Sequence, residues 1–157
     1  MPLFSALGLF FRHRGIENSG KEKPMAYLYF GTVPSEISKV CSSTSQIINR
    51  LKSRCKLTED SLWDIRLILS ELMINGCNHG NMNDRNKLVT LELMVDRDLV
   101  RIIVKDEGGG IRWEKDAPAD IQSCSGRGLR IVQALCDEMI VEDTEVRCAL
   151  IVRNTDQ

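Results

Sequence analysis

Apolar and polar residues recur along residues 26–157 with two periods, one typical of strands and one typical of helices. Short segments with alternating or continuous apolar residues predict strands, whereas apolar residues spaced three and four apart predict amphipathic helices. The predicted strands are 26–32, 88–95, 99–106, 140–142 and 146–152, and the predicted helices are 35–55, 58–80 and 128–139. Because few residues separate strand two from strand three and strand four from strand five, each of these pairs is expected to form an antiparallel hairpin.

Residues at the predicted helix ends support these assignments. Ser35 is expected to cap the first helix and Thr58 the second, and Gly80 is expected to follow the second as its C′ residue. A strand, two helices, a hairpin, a long loop, a helix and a hairpin fit an α/β (α+β) two-layer sandwich. Its sheet would be mixed but mainly antiparallel, with the helices on one face. No predicted strand runs through a glycine-rich turn directly into a helix, which argues against Rossmann and Walker folds.

Composition indicates one ordered domain and limits the classes of partner. Of the 157 residues, 43% are hydrophobic and 27% are charged, which are ordinary values for a globular domain. The net charge of -1 and the pI near 6.1 provide no basic field for nucleic acid or an anionic membrane. Six cysteines without a C-x-x-C pair, and histidines at His13 and His79 alone, favour neither a disulfide framework nor a zinc site. Reduced thiols and a cytoplasmic location are expected.

The first 24 residues differ from the rest of the chain. Residues 1–11 are an apolar run that is too short to span a bilayer, and basic residues follow it instead of preceding it. Residues 19–24 are polar, and a well-patterned strand begins directly after Met25. We therefore interpret residues 1–24 as an N-terminal extension without stable membrane insertion, and residues 25–157 as the domain. Two explanations of the extension stay open: translation starts at Met25, or the extension is a peripheral anchor or partner-binding tail.

A pair of polar residues interrupts the apolar second helix. Glu71 and Asn75 are four residues apart and therefore project from one face of that helix. The amide oxygen of an asparagine is a ligand suited to Mg²⁺, and a carboxylate beside it can orient or deprotonate a hydroxyl. A solvated helix face is the alternative explanation of the same pattern.

Two glycine-rich segments follow further along the chain. Asp106 precedes three glycines, 108–110, which are costly in backbone entropy unless positive φ or the close approach of a ligand requires them. An aspartate at such a turn can accept a hydrogen bond from an exocyclic amine such as that of adenine. Residues 125–129 begin the third helix, where unpaired N–H groups bind phosphate well. Each segment alone could be an ordinary turn, but the three motifs together, in this order, favour a nucleotide site.

The motifs resemble those of a known superfamily. Glu71-Leu-Met-Ile-Asn75, Asp106-Glu-Gly108-Gly-Gly110 and Gly126-Arg-Gly128-Leu129 look like the N, G1 and G2 boxes of GHKL ATPases, which have the Bergerat ATP-binding fold. Within that superfamily, the small size and the runs Ser70-Glu71-Leu72 and Asn78-His79-Gly80 are similar to the bacterial anti-sigma factor serine/threonine-protein kinases. The resemblance covers residues 26–152, nearly the whole domain.

The resemblance implies a role for each matched residue. Glu71 would be the catalytic base toward a serine or threonine hydroxyl, and Asn75 would bind the Mg²⁺ that bridges the phosphates of ATP. Asp106 would bind adenine, in a pocket shaped by Gly108 and Gly110. The phosphates would be contacted by Gly126, Arg127, Gly128 and Leu129, under a lid formed by residues 111–125. His79 would either touch the nucleotide or finish its helix.

One departure from the family pattern stands near the last strand. Family members often have a Gly-Thr pair there, whereas this chain has Asp143 and Thr144. Thr144 is therefore not included among the expected site residues.

Two functions remain in competition after these comparisons of motif and pattern. The first is a protein kinase that phosphorylates an anti-anti-sigma partner of the STAS type and thereby regulates a sigma factor, for which the retained Glu71 argues. The second is a catalytically inactive module whose bound ATP only shapes a protein-binding surface. A sensor histidine kinase is disfavoured because neither histidine lies in a helical phosphoacceptor segment. A homodimer is also expected from the family, with the first helix or strand as its surface.

Overall fold

A five-stranded sheet with three α-helices makes up the part of the chain that the computed structural model describes, residues 26–110 and 124–155. The strands are β1 (Tyr27–Pro34), β2 (Leu88–Asp96), β3 (Leu99–Lys105), β4 (Glu138–Glu142) and β5 (Glu145–Ile151). The helices are α1 (Ile37–Arg54), α2 (Glu59–Asn75) and α3 (Cys124–Leu135), and one turn of π-helix, Gly76–Gly80, continues α2. None of the described helices has the length and apolar character needed to cross a membrane.

The strands lie in the order β1-β2-β3-β5-β4. Every pair among the described strands is antiparallel, so the two-layer α+β sandwich is confirmed with a sheet that is antiparallel throughout, although a mixed sheet was expected. The reason lies in the first connection: Pro34 pairs with Leu88, so β2 begins where β1 ends and runs back beside it. At the same end of the sheet Lys105 pairs with Thr90 and with Glu145, which brings the segment after β3 next to the β4–β5 turn.

The core lies between the helices and one face of the sheet. Along β2 and β3 every second side chain is buried, as alternation requires of a sheet covered on one side. The predicted apolar stripe of α2 is confirmed, because its members are all at most 5% exposed: Leu62, Ile65, Leu69, Leu72 and Met73. Full burial of one such side chain contributes about 1.5–3 kcal/mol.

The two predicted helix caps have different outcomes. The Thr58 cap is confirmed, since its Oγ1 accepts a hydrogen bond from Ser61 N at 3.2 Å. The Ser35 cap is wrong: Glu36 occupies the N-cap position of α1, without a side-chain cap. The Ser35 hydroxyl instead donates to Lys87 O at 2.9 Å and accepts from Asn81 Nδ2 at 2.8 Å. The Ser35 hydroxyl therefore bonds to the residue before β2 instead of capping α1.

The last helix and strand also differ from their predicted bounds. The third helix begins at Cys124, four positions before the predicted Gly128, and ends at Leu135, before the predicted Met139. The last helical bond is from Cys136 N to Val132 O, at 3.0 Å. The next amide, Asp137 N, donates to Ala149 O at 3.0 Å, so the backbone joins the sheet at this residue. The apolar spacing alone predicts that the helix continues there. β4 accordingly begins two residues early, at Glu138.

Candidate functional site

Two of the three motifs meet where α2 and α3 touch. Glu71 and Asn75 lie one turn apart on α2, and Gly128 of α3 packs against both side chains. A Cβ atom at position 128 would overlap Glu71 Oε2 and would lie 3.3 Å from Asn75 Nδ2. The two helices therefore approach this closely because residue 128 has no side chain. The acid, the amide and the first turns of α3 share one small region.

The amide of Asn75 is buried without a protein partner. The residue is 8% exposed, and its Nδ2 atom finds no hydrogen bond among the described residues. A buried polar group left in this state costs about 1–3 kcal/mol, so an unpaired amide here indicates a place for a ligand. Rotation of the amide by 180° exchanges its oxygen and nitrogen, and the same position can then offer an oxygen ligand to a cation.

A magnesium ion fits this donor set. Mg²⁺ usually keeps several waters and takes one or two protein oxygens together with substrate phosphates. Among the described residues there is no group of three or more His, Cys, Asp or Glu side chains that could hold a metal by itself. A cation here would therefore depend on Asn75 and on the phosphates of a bound nucleotide.

The third motif lies against the π turn that continues α2. Asp106 follows β3 and is 4% exposed, and its Oδ1 accepts a hydrogen bond from Gly108 N at 2.8 Å. Its own N–H donates to Thr144 O at 2.9 Å, so Thr144 contributes to this region through its backbone. Burial raises the pKa of Asp106 above its ordinary value, and the Gly108 N–H and the positive charge of Lys87 partly oppose that rise.

Two glycines allow Asp106 to reach this position. A Cβ atom on Gly80 would overlap the Asp106 carboxyl group, and a Cβ atom on Gly108 would overlap the carbonyl of Gly80. Gly80 does not have the positive φ of a left-handed C′ residue, so its expected C′ role is wrong, although the helical segment does end at Gly80 as predicted. It is required instead by the close approach of Asp106. Gly110 does adopt a positive φ, +92°, and lies against the backbone of Asp143.

Sequence reasoning missed Asn81, which holds this region together. Asn81 is 0% exposed, although it begins the polar run 81–86, whose composition is typical of a turn. Its Oδ1 accepts from Glu107 N at 2.7 Å, and its Nδ2 donates to Leu88 O at 2.9 Å and to Ser35 Oγ. One side chain thus joins the end of the π turn to β2 and to the turn after β3. Because other asparagines and an aspartate surround it in the sequence, nothing distinguishes Asn81 from an ordinary turn residue.

The remaining predicted residues lie on α3. Gly128 is buried and Arg127 is exposed, and the backbone of Gly126 is part of the first turns of the helix. Leu129 is 3% exposed within the hydrophobic core and is the sixth residue of α3, so neither its side chain nor its N–H lies at the free helix start. The predicted lid, 111–125, falls mainly on residues 111–123, which lie outside the described ranges. His79 is exposed at the end of the π turn.

A second depression is remote from this region. It has a volume of about 540 Å³ and lies over β1, β2 and β3, where Leu28, Phe30, Glu92 and Ile103 line it. Leu28 and Phe30 are 71% and 69% exposed, so they belong to the sheet face that the helices leave uncovered. None of the predicted site residues lines it.

Known proteins share this sequence pattern. A family model described as "Histidine kinase-like ATPase domain" matches residues 34–153. The anti-sigma F factor of Geobacillus stearothermophilus is 33% identical over 91 residues, which are 54% of this chain and 62% of that protein. The serine-protein kinase RsbW of Bacillus subtilis is 26% identical over 106 residues, which are 61% of this chain and 66% of that protein. The match thus spans less than two thirds of the length of these relatives.

A solved structure is also similar. The histidine kinase domain of the blue-light activated histidine kinase from Erythrobacter litoralis EL346 aligns with a TM-score of 0.46 and 20% identity. The alignment covers 94% of this chain and 71% of that chain.

Proposed function

Because the chain belongs to the histidine kinase-like ATPase domain family, whose fold implies ATP binding, we propose that it is an ATP-dependent protein serine/threonine kinase of the anti-sigma factor type. Its substrate would be a STAS-domain anti-anti-sigma protein, and its regulatory target a sigma factor. The names of the relatives support this proposal, since they include anti-sigma F factors and a serine-protein kinase.

The observation that carries the proposal is the contact of Gly128 with Glu71 and Asn75. A module that only binds nucleotide needs the turn of α3 and the amide, but it has no use for a carboxylate held against that turn. Gly128 keeps space for the Glu71 carboxylate one turn inside the N-terminal end of α3, the end at which phosphate binds best. A proton acceptor beside the phosphate position is what transfer to a hydroxyl requires.

Each residue of the site would bind a different part of Mg-ATP. Mg²⁺ supplies neutralisation of the phosphate charge when it is bound, and Asn75 would hold it through the amide oxygen. The helix starts at Cys124, so the N–H groups of Gly126 and Arg127, together with the Arg127 guanidinium, would hold the phosphates at the positive end of α3, whereas those of Gly128 and Leu129 lie within the helix. Asp106 Oδ2, which accepts no hydrogen bond from the described residues, would accept one from the adenine amine.

Glu71 would take the proton from the serine or threonine hydroxyl. As the hydroxyl oxygen forms its bond to the γ-phosphorus, the bond from that phosphorus to the β–γ bridging oxygen breaks and ADP leaves with the electron pair. A general base of this kind accelerates transfer by about 10²–10⁴-fold. The acceptor becomes a phosphoserine or phosphothreonine, and the proton stays on Glu71 until water removes it.

The location and partners of the protein follow from the same proposal. A kinase that acts on sigma-factor regulators works in the cytoplasm and needs no direct contact with nucleic acid. Self-association into a homodimer is expected through α1 or β1, and β1 is an edge strand that exposes Leu28 and Phe30.

One substitution tests the enzyme against the inactive module. The chain is incubated with Mg²⁺, γ-labelled ATP and each STAS-domain protein of the source genome in turn. We expect the wild type to label one of them, and Glu71→Gln to lower that rate at least ~10²-fold with ATP affinity nearly unchanged. Glu92→Gln, at an exposed carboxylate on the uncovered sheet face, is the matched control. A wild type that binds ATP but labels no STAS protein would leave the module as the function.

A further inference from the structure

Large apolar side chains lie exposed on α2 on the side that leads to Glu71. Trp63 is 66% exposed and Leu67 is 40% exposed. Trp63, Leu67 and Glu71 are spaced four residues apart, so they follow one another along one side of the helix. The core positions of α2, such as Ile65 and Leu69, lie elsewhere around the helix and are fully buried. Packing within the described domain therefore does not account for Trp63 and Leu67.

The exposed pair has a cation beside it. The Arg66 guanidinium carbon lies 5.9 Å from the centroid of the Trp63 ring, within cation–π distance. Tryptophan and arginine are the residues most enriched among those that dominate protein–protein binding energy. Clustered exposed apolar side chains with a polar rim mark interaction sites. We call Trp63, Arg66 and Leu67 the α2 stripe.

Geometry connects the α2 stripe with the transfer of phosphate. An acceptor hydroxyl must come within about 3 Å of the Glu71 carboxylate, so the protein that carries it must cover the surface around Glu71. At about 1.5 Å per residue, Trp63 lies about 12 Å from Glu71 along the helix, within the radius of one protein interface. The surface that a docked acceptor covers is therefore continuous with the stripe.

We propose that the α2 stripe is the docking surface for the acceptor protein of the kinase reaction. This inference rests on the proposed function and adds to it the surface that selects the substrate. The acceptor should carry an apolar patch about 12 Å from its reactive hydroxyl, with a carboxylate beside the patch to pair with Arg66. A second copy of the chain is the less fitting occupant, because it would cover Glu71 and block the acceptor.

The test separates docking from chemistry. Steady-state kinetics are measured with the STAS-domain protein that the wild type labels, for wild type, Trp63→Ala, Leu67→Ala and Trp63→Phe. We expect the two alanine variants to raise the KM for the STAS protein about tenfold or more, with kcat and ATP affinity within about twofold of wild type. Trp63→Phe, which keeps an aromatic face for Arg66, should recover most of the loss.

Ile151→Ala is the matched control, since Ile151 is an apolar side chain that is 53% exposed at the end of β5, and not on α2 or β1. Its KM should equal that of wild type. If wild type labels a STAS protein and all variants share its KM, the docking inference is wrong and the proposed function stands. If wild type labels no STAS protein, both fail together. Sedimentation of each variant at two concentrations adds one more outcome: loss of self-association in Trp63→Ala alone would assign the stripe to a dimer and overturn the proposal.

Discussion

Gly128→Ala should separate the stability of this domain from its activity. The new methyl group would overlap Glu71 Oε2 and would lie 3.3 Å from Asn75 Nδ2. The overlapped atom is the end of a flexible side chain, so the glutamate can turn away at a cost of about 0.5–1.5 kcal/mol for an unfavourable rotamer. Position 128 is helical, and alanine there gains about 1 kcal/mol over glycine.

The two terms nearly cancel in the free energy of unfolding. We expect the melting temperature of Gly128→Ala without nucleotide to stay within about 4 °C of wild type, since 1 kcal/mol corresponds to about 2–4 °C at this size. The effect of the displaced Glu71 carboxylate on the reaction rate, in contrast, is not offset by any gain. A misplacement of about 1 Å in a reacting group costs about 10²-fold in rate, so phosphotransfer should fall by that factor or more.

The assay for this prediction pairs thermal melts with labelled-ATP transfer. Gly109→Ala is the control, because a Cβ atom there meets no atom within 4 Å, and both its stability and its rate should match wild type. A Gly128→Ala protein that melts more than 10 °C lower, or that keeps its full transfer rate, would refute the packing argument.

Three further changes test other parts of the site. Asn75→Ala should abolish the stabilisation that saturating Mg-ATP gives the wild type, which at ~100 times the Kd is about 2.7 kcal/mol, or roughly 5–10 °C in a thermal melt; an equal shift in the variant would remove the metal assignment. Asn81→Ala leaves Leu88 O and Glu107 N without their partner and should lower stability by about 3 kcal/mol, or about 6–12 °C, whereas Asn49→Ala, exposed on α1, should lie within about 0.5 kcal/mol of wild type. Asp106→Asn should change the pH profile: burial raises the folded-state pKa of Asp106 above 3.8, so the folded state holds more protons and the wild type loses stability as pH rises from 3.8 through the raised value. The melting temperature of Asp106→Asn relative to wild type should therefore rise over that window, and a difference that stays constant with pH would contradict this reasoning.

The elements and the α2 motif were predictable because local patterns determine them. The spacing of Leu62, Ile65 and Leu69 is sufficient to predict a buried stripe, and Thr58 caps a helix through neighbours only three residues away. Ser35 and Gly80 were assigned to local roles for the same reason, and both assignments failed. Their true partners, Lys87 and Asp106, are 52 and 26 positions away in the chain. Local pattern carries no information about such contacts.

The π turn explains how motifs that are far apart in the sequence form one site. Asn81 N bonds to Gly76 O, five residues back, so the turn is wider than that of an α-helix and redirects the residues that follow Asn75. It places Gly80 under the Asp106 carboxyl group and aims Asn81 at the backbone of Glu107. The acid, the amide and the support of the post-strand turn therefore follow one another within the last turns of a single helical segment. Because Asn75 is only five residues before Gly80, we expect Glu71 and the Asp106 turn to respond together when nucleotide is added.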